Sequence, residues 1–425
     1  MNEKHDVWYD GCPEDGGYLA IKGFDDADVT AHKQRIGVYT ESERLLKRAL
    51  QVIPNGTQTF SKSRTSFPLG VSPLYAARAK GAYLWDVDGN RYIDFISALT
   101  PVILGYNDPD VTRAVKEQLE DGVLFSLPHK LEIEVSEQIV DMVPCAEMVR
   151  FGKNGSDTTT GAVRLARAYT GRDHIAMCGY HGWHDWSNGV SGRNLGVPQA
   201  VKDLTHVFKY NDIDSLYRLF LDRPGQYACV IMEPMNKDFP ENDFLHKVKE
   251  LAHSNGALFI MDETITGFRF AIGGAQEYFN IVPDIATFGK AIANGYPLSA
   301  IAGREEIMQK MNDIHFSFTN AGECLSLAAA KETLRKIKDE NIPERLAWLG
   351  NDLPGTGHPA WRHLDIKDKT LFMQEMHKRG ILCLGTINLS NAHGITDIEA
   401  LLHALDVWDK GVLECEPLEQ GFKIR

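Results

Sequence analysis

The stretch ACVIMEPMNKDFPENDFLHKVKELAHSNGALFIMDE, residues 228–263, decides the fold. It begins and ends with short apolar runs, and the segment between them, 243–254, repeats apolar residues at helical spacing. A strand without alternating polar positions is buried on both faces, which is typical of parallel strands joined by helices. The stretch therefore predicts one strand–helix–strand unit of a parallel sheet.

The same alternation extends to both sides of this unit. Further apolar strands are expected at MVRF (148–151), HIAMC (174–178) and DIATFG (284–289), and a helix at 156–169 with Ser156 or Asp157 as its N-cap. We therefore predict an α/β fold, with a mainly parallel sheet covered by helices on both faces.

The flanking regions predict smaller elements. GAYLWDVDGNRYIDF (81–95) indicates a β-hairpin turning at Asp88-Gly89-Asn90, and amphipathic helices are expected at 41–53, 108–120 and 130–142. The domain boundaries we expect are an N-terminal extension with part of a small subdomain (1–95), a large domain (96–330) and a C-terminal small subdomain (331–425).

Composition limits the classes of partner. The chain has 425 residues and a formal net charge of -13, which disfavours nucleic acid and anionic membranes as partners. Its seven cysteines contain no C-x-x-C pair, which favours reduced thiols. The N-terminus lacks an apolar signal region, and the apolar runs are too short to cross a bilayer. We therefore expect a soluble, cytoplasmic protein.

Candidate site residues follow several of the predicted strands. Gly155 and Ser156 begin a helix after a strand, where backbone N–H groups can bind phosphate, although an ordinary capped helix fits as well. Asp262 ends a buried strand and needs a cationic partner, unless it only caps a loop. Lys290 follows the next strand along the chain among small residues. Because ligands bind at the carboxyl ends of such strands, these groups could converge.

The segment CGYHGWHDW (178–186) adds aromatic and imidazole groups. Tyr180 could stack on a flat ring. His181 and His184 are three residues apart, but no third ligand is evident, so we expect no metal.

Taken in order, these residues resemble the class III (fold-type I) aminotransferases that depend on pyridoxal 5'-phosphate (PLP), especially the branch near glutamate semialdehyde aminomutase. The resemblance covers about residues 45–335 and, more weakly, the C-terminus. It is carried by KGAYLWDVDGNRYIDF, ILGYNDP, MVRFGKNGSDTTTGAVRLARAYTGRD, YHGW, MDETITGFR, GGAQEYFNIVPDIATFGKAIANGYPLSAIAG and FTNAGECLSLAAA. It implies a seven-stranded sheet and PLP bound in the large domain.

The resemblance implies roles for individual residues. Lys290 matches the lysine that forms the Schiff base with PLP, and Asp262 the carboxylate on the pyridine nitrogen; these two are the expected catalytic residues. The other expected cofactor-binding residues are Gly155 and Ser156 at the phosphate, Tyr180 and His181 in the YHGW segment, Glu233 of the E-P motif, Thr264 behind the ring, and Thr319. Because Thr319 matches a residue that reaches the neighbouring subunit's phosphate, the resemblance implies a homodimer.

The chain also departs from the aminomutase pattern. Gly385 occupies roughly the place of that enzyme's C-terminal glutamate, residues 349–365 look shortened, and the loop MNKDFPEND after Pro234 lacks the usual glycines. Arg64 falls near a substrate-carboxylate arginine, but a solvated charge fits equally.

A related branch, similar in NGTQTFSKS, CGYHGWHDW and GTINLSNAH, acts on precursors of surface polysaccharides. That resemblance suggests Trp183 and Trp186 as a stacking surface for a sugar, although core packing is the somewhat better interpretation of both.

The expected function is transfer of an amino group from a donor, expected to be glutamate, to a carbonyl acceptor such as a keto-sugar or sugar-derived precursor. The alternatives are an intramolecular amino shift of the glutamate-1-semialdehyde 2,1-aminomutase type, epimerisation or decarboxylation with the same cofactor, or a scaffold without activity.

Overall fold

A computed structural model describes residues 37–418 of the chain. The strands are β1 (Ala76–Lys80), β2 (Tyr83–Asp86), β3 (Arg91–Asp94), β4 (Met148–Gly152), β5 (His174–Cys178), β6 (Thr205–Val207), β7 (Tyr227–Met232), β8 (Leu258–Asp262), β9 (Ile285–Phe288), β10 (Ser299–Gly303), β11 (Trp361–His363), β12 (Ile381–Leu382) and β13 (Thr386–Asn388).

The helices are α1 (Thr40–Ala49), α2 (Pro109–Asp121), α3 (Lys130–Met142), α4 (Gly155–Thr170), α5 (Asp185–Asn188), α6 (Gln199–Lys202), α7 (Ile213–Asp222), α8 (Phe244–Ser254), α9 (Ala275–Tyr278), α10 (Glu305–Met308), α11 (Cys324–Asp339), α12 (Ile342–Leu349), α13 (Lys369–Lys378) and α14 (Ile395–Leu405). Within the described range, no helix combines the length and apolar character that crossing a bilayer requires.

The central sheet has seven strands in the order β4-β10-β9-β8-β7-β5-β6. All pairs from β9 to β6 are parallel, whereas β10 is antiparallel to both β9 and β4. This confirms the predicted mainly parallel, seven-stranded α/β fold. Strand β10 was not predicted, because its SAIAG sequence is short and rich in small residues.

Helices cover both faces of this sheet, as the apolar strands predict. Every residue of β7 and β8 is buried. Along β8, Phe259 packs with Phe244 and Val248 of α8, while the next residue, Ile260, packs with Leu165 of α4 in a separate cluster. Each fully buried aliphatic or aromatic side chain contributes about 1.5–3 kcal/mol to folding.

The ends of α4 are fixed by local sequence. Asn154 is the N-cap, and its side chain accepts hydrogen bonds from the N–H groups of Ser156 (3.0 Å) and Asp157 (3.3 Å). The N-cap predicted at Ser156 or Asp157 was wrong, because the observed cap lies two or three residues earlier in the chain. Gly171 ends the helix in a left-handed conformation, at φ +66°.

A second, four-stranded sheet has the order β1-β2-β3-β12. The predicted hairpin is confirmed as the antiparallel pair β2 and β3, and β12, from the C-terminal third, lies parallel to β3. A separate antiparallel pair joins β11 and β13. The expected domain boundaries remain a prediction, and the part of the N-terminal extension before residue 37 lies outside the described residues, as does Cys12. The six cysteines in the described range are free thiols.

Candidate active site

Asp262 and Lys290 lie at the same edge of the sheet. Asp262 is the last residue of β8 and is paired with Thr287 of the parallel strand β9. Lys290 follows β9 after one residue, Gly289, and is half-buried at the start of a short 3₁₀ turn with φ +44°. A lysine with positive φ is unusual, and the backbone strain indicates that the surrounding structure holds it there.

The Asp262 carboxylate is buried and hydrogen-bonded. Its Oδ2 lies 2.7 Å from Nδ1 of His181, and its Oδ1 accepts hydrogen bonds from Thr264 N (3.0 Å) and Thr287 Oγ1 (3.2 Å). Burial, the largest single effect, raises the pKa of this carboxyl, but His181 and the backbone N–H of Thr264 act together with the opposite sign, and the pKa is below its ordinary value. Asp262 is therefore held as an anion in the interior.

Thr264 lies between the start of α4 and the Lys290 turn. A Cβ added to Gly155 would lie 3.0 Å from Thr264 Cγ2, and one added to Gly289 would lie 3.3 Å from the same atom. The hydroxyl oxygen of Thr264 is buried and has no hydrogen-bond partner among the described residues. The Gly155 helix start, Thr264 and the Lys290 turn thus form one continuous surface.

The loop after β5 is attached to the first turn of α4. Ser156 Oγ accepts a hydrogen bond from Trp183 N at 3.2 Å, and Thr159 Oγ1 donates one to the carbonyl of His181 at 2.7 Å. Gly182 has φ +103°, and a Cβ there would lie 2.2 Å from Ser156 Oγ. Only glycine therefore allows this loop to approach α4 so closely.

Tyr180 and Glu233 lie next to each other in this region. Tyr180 N donates to Glu233 Oε2 at 3.4 Å, and Glu233 is buried and also accepts from Asn236 Nδ2 at 3.0 Å. The Tyr180 side chain is about one third exposed, at 36%. The ring is thus accessible at the same edge of the sheet.

The remaining predicted residues are more dispersed. Arg64 and Thr319 are exposed in loops. Trp186 is buried and donates from Nε1 to Thr160 Oγ1, so core packing holds for Trp186, whereas Trp183 is 67% exposed. His184 bonds to Thr160 through Nδ1, and no group of three potential metal ligands occurs among residues 37–418.

Arg269 and the turn that it holds were not predicted from the sequence. Arg269 is fully buried, and its guanidinium donates to the carbonyls of Thr100 and Leu389, both at 2.7 Å. Ser97–Thr100 has four consecutive positive φ angles, 47°, 54°, 73° and 84°, without a glycine. The segment that follows is tied to the Lys290 turn, since Asn294 Oδ1 accepts from Leu104 N at 2.9 Å. A charged residue in the otherwise apolar GFRFAI was the signal that could have revealed Arg269.

Comparison with known proteins agrees with this geometry. The family model described as Aminotransferase class-III matches residues 67–384. A glutamate-1-semialdehyde 2,1-aminomutase from Francisella philomiragia is 40% identical over 321 residues, covering 71% of this chain and 73% of that protein. A 3-aminobutyryl-CoA aminotransferase from Cloacimonas acidaminovorans is 37% identical over 317 residues, covering 73% and 76%.

Among solved structures, the FumI protein of Sphingopyxis sp. MTA144, determined in a PLP-bound form, superimposes with a TM-score of 0.83 at 28% identity. The match covers 89% of this chain and 99% of that one.

The residues at this edge of the sheet fit PLP. A carboxylate offers about four acceptor positions, and Asp262 uses three of them, which leaves one on Oδ2 for a pyridine N–H. The buried Thr264 hydroxyl lacks a partner, and Gly155 and Gly289 leave open the space beside it. The chain belongs to the class III aminotransferase family, and its cofactor is pyridoxal 5'-phosphate.

Proposed function

We propose that the chain is a transaminase that moves an amino group from glutamate to a carbonyl acceptor, a keto-sugar or a sugar-derived precursor. The observation that carries this proposal is the buried, ionised carboxylate of Asp262 at the end of β8, beside the strand that leads to Lys290. An anion buried there stabilises a bound cationic ring.

In this proposal PLP, when bound, supplies an electron sink for the substrate carbon that loses its proton. Lys290 would hold the cofactor and would move the proton at that carbon as general base and acid. Asp262 keeps a protonated ring nitrogen in place, and His181 keeps Asp262 ionised and oriented. Gly155 through its backbone and Ser156 through its hydroxyl group would bind the phosphate, since Asn154 Oδ1 already accepts from the Ser156 N–H. Tyr180 would cover one face of the ring, and Glu233 and Thr264 would line the rest of the site.

Gly385 supports transfer between two molecules over the intramolecular shift. It has φ +96°, and a Cβ there would lie 3.1 Å from Ile366 Cδ1. A glutamate at this position would be strained and crowded, so the chain lacks the side chain that the resemblance assigns to aminomutases. Since one relative is named an aminomutase and another an aminotransferase, the aminomutase reaction remains the second candidate.

An exposed apolar surface supports a homodimer. Leu119, Leu124, Phe125, Leu127 and Ile133 are 43–78% exposed, and such clusters commonly lie at protein interfaces. This segment is close to the Thr319 loop, because Cys324 N donates to the carbonyl of Val123 at 2.8 Å. A second copy packed on this surface would bring an exposed Thr319 towards its partner's site.

Two further residues are proposed to contact the substrate. Trp183 presents an exposed ring next to the Ser156 loop, which suits stacking on a sugar, and the exposed Arg64 could bind a carboxylate. The free thiols of residues 37–418 support a cytoplasmic location.

The experiment is the donor half-reaction without acceptor. Purified enzyme is mixed with glutamate, and the absorbance of the aldehyde and amine forms of the cofactor is followed. In the wild type, glutamate should convert the cofactor fully from its aldehyde to its amine form. In Lys290→Ala and Asp262→Asn the rate of this conversion should fall at least 100-fold. Lys247→Ala, which changes an exposed lysine on α8, is the matched control and should behave as wild type.

Two results would contradict the proposal. If no amino acid converts the cofactor to its amine form, the protein is not a transaminase. If the enzyme isomerises glutamate 1-semialdehyde to 5-aminolevulinate without any added donor, the aminomutase reaction replaces it.

A further inference from the structure

A cavity of about 750 Å³ opens beside the candidate active site. It shares Tyr180, Gly182 and Glu233 with that site and extends from there across the ends of β5 and β6, where Met177 and Val207 form its floor. Its volume lies within the range of about 300–1,000 Å³ that is usual for small-molecule sites. The cavity therefore has room for a sizeable part of a substrate whose reacting end is at the cofactor.

Further lining residues come from two segments that depart from the aminomutase pattern and from the segment that contains Thr386. One wall is the loop Asn236–Asp238, which lacks the usual glycines, and a second wall is His363 of β11 and Thr386 of β13. The two walls are close together, because a Cβ at Gly357 would lie 3.5 Å from the carbonyl oxygen of Lys237.

The charges around the cavity disfavour an anionic ligand. Its ionisable carboxylates are Glu233 and Asp238, and its one lysine is Lys237. A phosphorylated or nucleotide-linked ligand would lie beside more negative than positive charge and would be repelled. An uncharged ligand would meet no such repulsion.

Aromatic rings and neutral polar groups complete the lining. Tyr210 is held in place because its hydroxyl donates to the carbonyl of Pro234 at 2.7 Å, so its ring borders the cavity in a fixed orientation. Tyr180 adds a second ring, and Asn236, Thr386 and Ser187 supply amide and hydroxyl groups. Flat apolar rings beside hydrogen-bond donors and acceptors suit a ligand that has C–H faces and many hydroxyl groups.

We propose that this cavity binds the neutral, polyhydroxylated part of the acceptor substrate while its carbonyl reacts at Lys290. The inference rests on the proposed transaminase function and specifies the acceptor's chemical class. The loop Asn236–Asp238 and residues His363 and Thr386 then determine which acceptor is used.

The test measures binding to full-length holoenzyme by saturation-transfer NMR with methyl β-D-glucopyranoside, which has no free carbonyl and cannot react. Glucose 6-phosphate and cyclohexanemethanol serve as the anionic and the apolar probes. Wild type should saturate the methyl glucoside at least fivefold more strongly than either of the other probes.

Two variants fill the cavity from different sides, Val207→Trp on the floor and Lys237→Trp on the wall. Both side chains are largely exposed, so each tryptophan can be accommodated, and a melting curve checks folding. Both variants should lose most of the glucoside signal. Leu221→Trp is the matched control, since Leu221 on α7 is 60% exposed, as Val207 is 55% exposed, but does not line the cavity.

Equal glucoside signals in wild type and both folded tryptophan variants would overturn the inference. So would stronger saturation of cyclohexanemethanol or of glucose 6-phosphate than of the glucoside. Failure of the proposed function is seen separately, because the glutamate half-reaction of the wild type needs no acceptor.

Discussion

His181 Nδ1 and Asp262 Oδ2 are 2.7 Å apart, and both side chains are buried. The other ring nitrogen of His181, Nε2, lies 3.1 Å from the carbonyl oxygen of Cys178. The imidazole therefore connects the end of β5 with the end of β8 and stabilises a carboxylate that burial alone would neutralise.

The first prediction concerns this pair. With His181 present, Asp262→Asn should destabilise the protein, because the carboxylate is a well-bonded anion. In the background His181→Phe the same change should stabilise it by about 1–3 kcal/mol at pH 7, because an unpartnered buried charge is removed. Urea unfolding of the four proteins at one fixed cofactor concentration measures this reversal of sign.

The pH dependence of the free energy of unfolding gives a second check on these four proteins. In wild type the pKa of Asp262 is lowered, so its stabilising effect is present above the ordinary pKa and is lost as the pH falls through the folded value. Without His181, burial dominates and the carboxyl takes up a proton at higher pH, so the benefit of Asp262→Asn should shrink between pH 7 and pH 4. A benefit that does not change with pH would contradict this account.

The second prediction concerns Gly182 and its contact with Ser156. Gly182→Ala should weaken cofactor binding at least tenfold, because the added methyl group would displace Ser156 and the loop that carries Tyr180. Gly171→Ala is the matched control: Gly171 also has positive φ, but a Cβ there meets nothing within 4 Å. It should cost only about 1–2 kcal/mol of stability. Cofactor retention on dialysis, measured by absorbance, compares the two variants, and equal retention would argue against the role of this contact.

The third prediction concerns Arg269, whose charge is stabilised by carbonyl groups. Burial lowers the pKa of its guanidinium to about 10. Arg269→Lys should lower the free energy of unfolding by about 3 kcal/mol or more. A lysine cannot reach the carbonyls of Thr100 and Leu389 together, so at least one buried acceptor is left unpaired. Arg335→Lys, at an exposed arginine paired with Glu332 and Asp339, should cost less than about 1 kcal/mol. Denaturant unfolding measures both, and comparable losses would refute the distinction.

The fourth prediction concerns His377, which is buried and lies 3.0 Å from Ser72 Oγ through Nδ1. Burial lowers the pKa of His377 to about 4. The unfolded chain takes up a proton near pH 6.5 and the folded protein does not, so stability is full above that pH and falls as the pH decreases from 6.5 to 4. The slope of the free energy of unfolding against pH reports how many more protons the unfolded chain binds than the folded protein. His377→Gln should lower this number by about one between pH 6.5 and pH 4. An unchanged slope between pH 7 and pH 5 would show that His377 does not contribute.

Much of the sheet could be predicted from the sequence because its strands are apolar without interruption. HIAMC was placed with both ends correct, and the other predicted strands and helices of the sheet were placed to within one or two residues. The short strand β10 escaped because small residues carry no periodic signal and because its antiparallel pairing depends on strands far away in the chain.

For the site, the sequence predicted which residues end the strands but not their bonds. That Asn154 occupies the N–H groups of Ser156 and Asp157, and that His181 reaches Asp262, depends on side-chain geometry across loops. Nor could Ser97–Thr100 have been recognised, because its left-handed backbone contains no glycine. It is held by the nearby Asp94 carboxylate and by two groups far away in the chain, the Asn388 amide at Ile96 and Arg269 at Thr100. The roles assigned to the residues matched to the cofactor remain predictions.

The order of the seven strands has a consequence for biogenesis. Strand β4, which leads into the Gly155 turn, joins the sheet only through β10, the last of the seven to leave the ribosome. Strand β4 therefore enters the sheet only after a contact between strands some 150 residues apart has closed. A cofactor that binds only the completed sheet would be captured at the end of folding and would then pull the folding equilibrium towards the native state.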